Sequence, residues 1–173
     1  MNMQIRKIAA DDRLEQEALA LSRLAEEIWI EYYPPIIGRA QVDYMLEKFQ
    51  SPSCIAEDIR KPGCHFYVAE DADGKRSVGY CAAFEQDGCL FLSKLYVLRE
   101  YRRKGIGRLF FDTLLALCRS SRRSKITLNV NKDNRQSIAA YRNMGFTTVD
   151  DVKVDIGGGF FMDDYVMEYH VAL

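Results

Sequence analysis

Three cations and two glycines stand together at Arg102-Arg103-Lys104-Gly105-Ile106-Gly107, directly after an apolar run that contains Leu95-Tyr96-Val97. Downstream, Ile106, Leu109, Phe110, Thr113, Leu114 and Leu117 recur at the spacing of a helix with one apolar face. A helix start presents unpaired backbone N–H groups and the positive end of the dipole. Glycines remove the Cβ atoms that would hold a ligand away from those amides. This grouping suits a polyanion, above all a pyrophosphate; the plainer alternative is a solvated basic turn. Two familiar phosphate loops do not fit. Gly-x-x-x-x-Gly-Lys-Ser/Thr is absent, and the third glycine of a dinucleotide fingerprint is replaced by Phe110.

The elements that must hold this loop follow from periodicity. Residues 3 to 8 form a first strand. A long helix follows, with Asp11 or Asp12 as its cap and Leu14, Ala18, Leu21, Ala25, Ile28, Trp29 and Tyr32 on one face. Pro34-Pro35 ends it. Val42, Met45, Leu46 and Phe49 mark a second helix, and Pro52 opens a third that ends near Pro62-Gly63. Strands are expected over Cys64 to Glu70, Ser77 to Glu85 and Leu90 to Leu98, joined by the turns Asp71-Ala72-Asp73-Gly74 and Gln86-Asp87-Gly88. The third, mostly apolar, should be buried on both faces. After the 105–120 helix come a strand from Lys125 to Val130 and a helix from about Asn134 to Met144, with Gly145 at its C-cap. Two strands linked by Gly157-Gly158-Gly159 finish the chain. The order is β-ααα-βββ-α-β-α-ββ, which is α+β: a mixed central sheet in a three-layer arrangement with helices on both faces, in one domain over 1–173.

Composition narrows the function. Apolar residues make up 48% of the 173 and charged residues 28%, ordinary for a soluble globular protein. The net charge of −1 argues against a nucleic-acid partner. No apolar run is long enough for a membrane span, so no membrane partner is expected. The N-terminus lacks the pattern of a signal peptide. Five cysteines at positions 54, 64, 81, 89 and 118, without C-x-x-C, fit reduced thiols and a cytoplasmic location. With His65 and His170 the only histidines, no metal site is expected, and a Cys–His catalytic pair is a minor alternative.

Combined with the strand order, three motifs resemble the GNAT superfamily of acetyl-CoA-dependent N-acetyltransferases. Arg102-x-x-Gly105-x-Gly107 after Leu95-Tyr96-Val97 is similar to its pyrophosphate loop. Leu128-Asn129-Val130 is similar to the strand that splays to admit the pantetheine arm. Asn134-x-x-Ser137-Ile138-x-x-Tyr141-x-x-x-Gly145-Phe146 is similar to its final motif. The resemblance covers residues 89 to 147. It implies the GNAT acyl-CoA N-acyltransferase fold and acetyl-CoA as co-substrate. Cofactor contacts would come from Leu95, Tyr96 and Val97, from the loop residues Arg102, Arg103, Lys104, Gly105, Ile106, Gly107 and Arg108, and from Asn129, Asn134, Ser137 and Tyr141. Tyr141 would protonate the departing thiolate as general acid; the plainer alternative is a core tyrosine.

One family feature is missing. Many members carry a glutamate on the strand before the loop as general base, and here the run is Leu90-Phe91-Leu92-Ser93-Lys94. Glu85, Glu31 and a water chain are the alternatives. Within the superfamily the chain is most similar to the diamine and polyamine N-acetyltransferases, through Ala25 to Tyr33 and Gly159 to Met167. Trp29, Glu31, Tyr32 and Tyr33 would then meet an alkylammonium, and the aspartates at 150, 151, 155, 163 and 164 would attract a cation. Trp29 and Tyr32 also fit a plain core, and the aspartates plain edge-strand charges. The rival readings are a protein N-terminal or lysine N-acetyltransferase and a non-catalytic acyl-CoA-binding module. The resemblance allows a homodimer through the C-terminal strands, and a monomer fits equally.

Overall fold

The computed structural model describes residues 3–71, 73 and 76–173. The turn expected at 71–74 includes Ala72 and Gly74, which lie outside the described residues. In chain order the elements are β1 (Met3–Ile8), α1 (Leu14–Tyr32), α2 (Pro34–Ile37), α3 (Arg39–Gln50), α4 (Pro52–Arg60), β2 (Cys64–Asp71), β3 (Ser77–Gln86), β4 (Cys89–Val97), a 3-10 turn (Arg99–Tyr101), α5 (Ile106–Ser120), β5 (Lys125–Asn131), α6 (Arg135–Met144), β6 (Thr147–Gly157) and β7 (Phe160–His170). Among the described residues the seven strands form a mixed sheet in the order β1-β2-β3-β4-β5-β7-β6. The β4–β5 pair is parallel, whereas β1–β2, β5–β7 and β6–β7 are antiparallel.

The chain divides into two compact units. One is Met1–Ala83 with Lys94–Phe111, and the other is Phe84–Ser93 with Asp112–Leu173. In the first unit α1 buries Leu14, Ala18, Leu21, Leu24, Ala25, Ile28 and Trp29. Each fully buried aliphatic side chain of this kind contributes about 1.5–3 kcal/mol. The helix starts one or two residues beyond the expected aspartate cap. Arg13 stands at the N-cap without a side-chain bond, and Asp11 accepts the Arg13 amide at 2.9 Å just before the helix. Pro34 does end α1, but it also opens α2, a single turn that the sequence pattern missed. Proline is tolerated where the first helical amides have no acceptor. Ser51 caps α4 by accepting the Cys54 amide.

The strand buried throughout its middle is β3, where residues 78 to 83 are all buried, rather than β4. In β4 Ser93 is exposed and Phe91, Leu95, Tyr96 and Val97 are half-buried. Lys94 is buried, and its ammonium donates to the Phe49 carbonyl at 3.0 Å near the C-terminus of α3. Burial lowers its pKa to about 8. Helix α5 also differs from its expected face. Leu109 is 39% exposed, and the buried stripe is Ile106, Phe110, Phe111, Leu114, Leu115 and Cys118.

In the second unit β4 pairs with β5 only from Cys89↔Lys125 to Leu92↔Leu128. Strand β5 continues to Asn131, paired with β7 through Asn131↔Asp164. Strand β4 likewise runs on, to Val97. The parallel ladder therefore stops while both strands are still extended.

Close approach of β3 and β4 depends on Gly79. A Cβ there would lie 2.6 Å from the Tyr96 carbonyl oxygen and 3.2 Å from the Val97 Cα. Both are backbone atoms and cannot swing aside. Gly79→Ala should therefore destabilise the protein by about 1–3 kcal/mol, as overpacking does. Thermal unfolding should show a fall of about 2–4 °C for each kcal/mol. An unchanged melting temperature would mean that β4 is free to move at this point.

Candidate active site

The loop before α5 has the backbone of an anion cradle. Arg103 has φ 57° and Gly105 has φ 85°, both in the left-handed region. Gly105 accepts the Leu109 amide at 3.0 Å and so opens the helix. First-turn amides of an α-helix have no acceptor within the helix. A Cβ at Gly105 would meet no atom within 4 Å, so space lies open beside this turn. Arg103, Lys104 and Arg108 are exposed. Arg102 behaves differently: its Nε donates to the Val97 carbonyl at 3.0 Å, and its guanidinium lies 4.6 Å from the centre of the Tyr32 ring. It ties the loop back to the end of β4.

The strand end supplies backbone groups. Leu98 donates its amide to the Val78 carbonyl at 2.9 Å. By alternation along a strand, Leu95 and Val97 direct their amides to the other edge. The Val97 carbonyl is occupied by Arg102. The Tyr96 side chain enters an aromatic group: its ring is 5.5 Å from that of Trp29 and 5.4 Å from that of Tyr80. Gln50 sits between the hydroxyls, accepting from Tyr80 at 2.7 Å and donating to Tyr96 at 3.5 Å. Gln50 is buried. Nothing in the sequence distinguished it from a solvated helix end, and Tyr80 looked like any strand tyrosine.

Of the expected acceptor residues, the rings of Trp29, Tyr33 and Tyr32 lie against one another. Trp29 is 4.5 Å from Tyr33, and Tyr33 is 5.0 Å from Tyr32, ring to ring. Trp29 is buried, and its indole N–H has no acceptor among the described residues. Glu31 is exposed and pairs with Arg99 at 3.3 Å. The second base candidate, Glu85, pairs with Arg123 at 2.7 Å. Both carboxylates thus hold a guanidinium.

In the second unit Asn134 caps α6, its side-chain oxygen accepting the Ser137 amide at 3.3 Å. Gly145 closes the same helix with φ 103°. Between these caps Tyr141 is half-buried, its ring 5.6 Å from that of Phe146. Asn129 is exposed on β5, opposite Val166 of β7. All five cysteines are free, and burial raises the pKa of the Cys64, Cys81 and Cys118 thiols. Buried thiols of raised pKa are poor nucleophiles. Among the described residues no group of three or more His, Cys, Asp or Glu side chains could hold a metal ion. No helix there is long and apolar enough to cross a membrane.

This strand–loop–helix arrangement, with its open turn and its interrupted parallel ladder, is that of an acyl-CoA N-acyltransferase. The acetyltransferase (GNAT) family profile matches residues 21–146, and the chain belongs to that family. It is an acetyl-CoA-dependent N-acetyltransferase, and acetyl-CoA is its co-substrate. No curated protein matches the chain. Solved structures share the fold. PaiA N-acetyltransferase from Thermoplasma acidophilum, in complex with coenzyme A, is 22% identical over 98% of this chain and 99% of that one, with a TM-score of 0.81. Ard1 from Thermoplasma volcanium is 20% identical over the whole of both chains, with a TM-score of 0.74. The ribosomal-protein-S18-alanine N-acetyltransferase of Escherichia coli is 13% identical over 99% of this chain and 96% of that one, with a TM-score of 0.72.

Gly105→Asp places a negative side chain where a Cβ meets no atom within 4 Å, at a left-handed φ that strains any residue but glycine. It should weaken coenzyme A binding about 100-fold or more, and calorimetric titration reads this directly. Unaltered affinity would remove the loop from the cofactor site. Tyr141→Phe should lower kcat about 100-fold or more, the range for a lost general acid, with cofactor affinity held within about threefold. Unchanged turnover would assign the proton to another group.

Proposed function

We propose that the chain acetylates a primary amine on a small cation of the polyamine class. The β6–β7 hairpin carries the observation on which this rests. Asp150, Asp151, Asp155, Asp163, Asp164 and Glu168 stand there with Lys153, and Lys132 and Lys125 pair with three of them, Asp151, Asp163 and Glu168, from outside the two strands. Such a surface raises the local concentration of a polycation. The aromatic group of Trp29, Tyr32, Tyr33 and Tyr96 adds ring faces of the kind that hold alkylammonium ions. One of those faces, that of Tyr32, already carries Arg102.

The chemistry assigns work to each part. The amine lone pair attacks the acetyl carbonyl, and charge develops on its oxygen. A backbone N–H at the open end of β4 is the proposed donor to that oxygen, where a fixed dipole needs no reorganisation. The loop from Arg103 to Arg108 holds the pyrophosphate. Tyr141 gives its proton to the thiolate as the carbon–sulfur bond breaks. Asn134 and Ser137 fix the start of the helix that carries Tyr141.

A protein N-terminus or lysine is the second reading. One fold neighbour supports it: it is named as an alanine N-acetyltransferase of a ribosomal protein. Thiol release from acetyl-CoA should be accelerated by spermidine or putrescine, and far less by a lysine peptide or a peptide with a free N-terminus. A peptide preference would replace the polyamine reading.

A further inference from the structure

Direct attack needs a group to take the proton of the amine, and Glu31 and Glu85 each hold an arginine. We infer that Asp164 is this group: it receives the ammonium of the acceptor and takes its proton. The inference rests on the amine-acetyltransferase reading.

The placement follows from an unbroken register. Strand β7 pairs with β5 residue by residue from Asn131↔Asp164 to Lys125↔His170. Alternation puts Tyr165, Met167 and Tyr169 on one face and Asp164, Val166 and Glu168 on the other. The Tyr169 ring is 5.6 Å from that of Phe146, which in turn is 5.6 Å from that of Tyr141. The first face is therefore the one covered by the helix of the general acid. Asp164 lies on the opposite face, beside Asn131 and two positions beyond Asn129. These are the residues of β5 past Leu128, where pairing with β4 has ended. An amine arriving on the Asp164 side attacks from one side of the sheet, and the thiolate leaves toward the other.

The side chain is poised for a cation. Asp164 is only 8% exposed. The nearby ammonium of Lys132 goes to Asp151 at 2.6 Å and Asp163 at 2.9 Å instead. No hydrogen bond reaches the Asp164 carboxyl among the described residues. The Asp164 oxygens are not among the buried polar atoms left without a partner, so the carboxylate keeps access to solvent while the rest of the side chain is covered. Burial pushes its pKa up to about 6, with the charge of Asp163 adding and that of Lys132 opposing. It is therefore mostly ionised at neutral pH, yet basic enough to accept a proton. In the step, the ammonium proton passes to Asp164. The nitrogen lone pair forms the C–N bond, the C–S bond breaks, and the thiolate takes the Tyr141 proton. Asp164 releases that proton to solvent and takes the second proton of the nitrogen as the amide forms, and solvent restores the proton of Tyr141, so that amide, thiol and one proton result.

Asp164→Asn preserves size and removes the base. Its kcat/KM for spermidine at pH 7.5 should fall about 100-fold or more, and the acid limb of the profile near pH 6 should vanish, with coenzyme A affinity unchanged. Activity within threefold of wild type and a retained limb would overturn the assignment. A readout independent of turnover is the carbon-13 titration of the Asp164 carboxyl in the wild-type protein. It should titrate near pH 6 and shift to lower pH when spermidine is added. If it does not move with spermidine, putrescine or a lysine peptide, Asp164 does not meet the acceptor, whether or not Asp164→Asn folds. Wild type that releases no thiol with any amine would instead count against the acetyltransferase reading itself. The two failures are thereby separated.

Discussion

The proposed cofactor site depends first on where the backbone pairing of β4 changes. Backbone groups of a strand must be paired or solvated, and a parallel neighbour is the ordinary solution. Here β5 transfers its pairing to β7, whose register with it is unbroken through Asn131. Strand β4 continues to Val97 without β5 beyond Leu92. The amides of Leu95 and Val97 are directed away from β3, since the Leu98 amide bonds the Val78 carbonyl. Gly79 reinforces this arrangement from the other side, since it lets β3 approach Tyr96 and Val97 more closely than any other residue could. Arg102 then joins the last carbonyl of β4 to the turn that opens α5.

Charge is allotted unevenly around this frame. Arg102 is used internally, on Val97 and Tyr32, while Arg103, Lys104 and Arg108 face solvent beside the left-handed turn. The exposed cations can therefore meet a polyanion without breaking a native contact. On the acidic hairpin Lys132 forms ion pairs with Asp151 and Asp163 and acts on Asp164 by its charge alone. Burial and like charge both raise the pKa of that carboxyl. The sign matters for stability. A carboxyl whose folded pKa lies above its ordinary value favours the folded state most at low pH, and that contribution is lost as pH rises through about 6. The folded protein carries this burden at neutral pH, which fits a group kept for chemistry rather than for packing.

Much of the fold was legible because its signals are local. The spacing in α1, the Gly145 cap of α6 and the glycine link of the β6–β7 hairpin each rest on a few neighbouring residues. The left-handed turn at Gly105 was not expected from the sequence, which marked the loop only by its cations and glycines. What escaped depends on tertiary pairing. The expected face of α5 included Leu109, but the helix buries Phe111 and Leu115 instead, because its neighbours, and not its period alone, select the face. A lysine within an apolar strand gave no sign that it would be buried and held by the carbonyl of Phe49. Gln50 joins Tyr80 to Tyr96 across thirty and forty-six residues of sequence, and no short-range pattern marks it. Asp164 was visible only as one of several hairpin aspartates. Its difference from Asp163 lies in the face it occupies and in the partner it lacks.

Amide hydrogen exchange with and without coenzyme A tests the central claim most directly. If the turn at Arg103 to Arg108 and the free edge of β4 hold the cofactor, the amides of Gly105 to Arg108 and of Leu95 and Val97 should exchange more slowly when it binds. The start of α6 around Ser137 to Tyr141 should be protected as well. Binding that leaves the exchange of these amides unchanged would contradict the account.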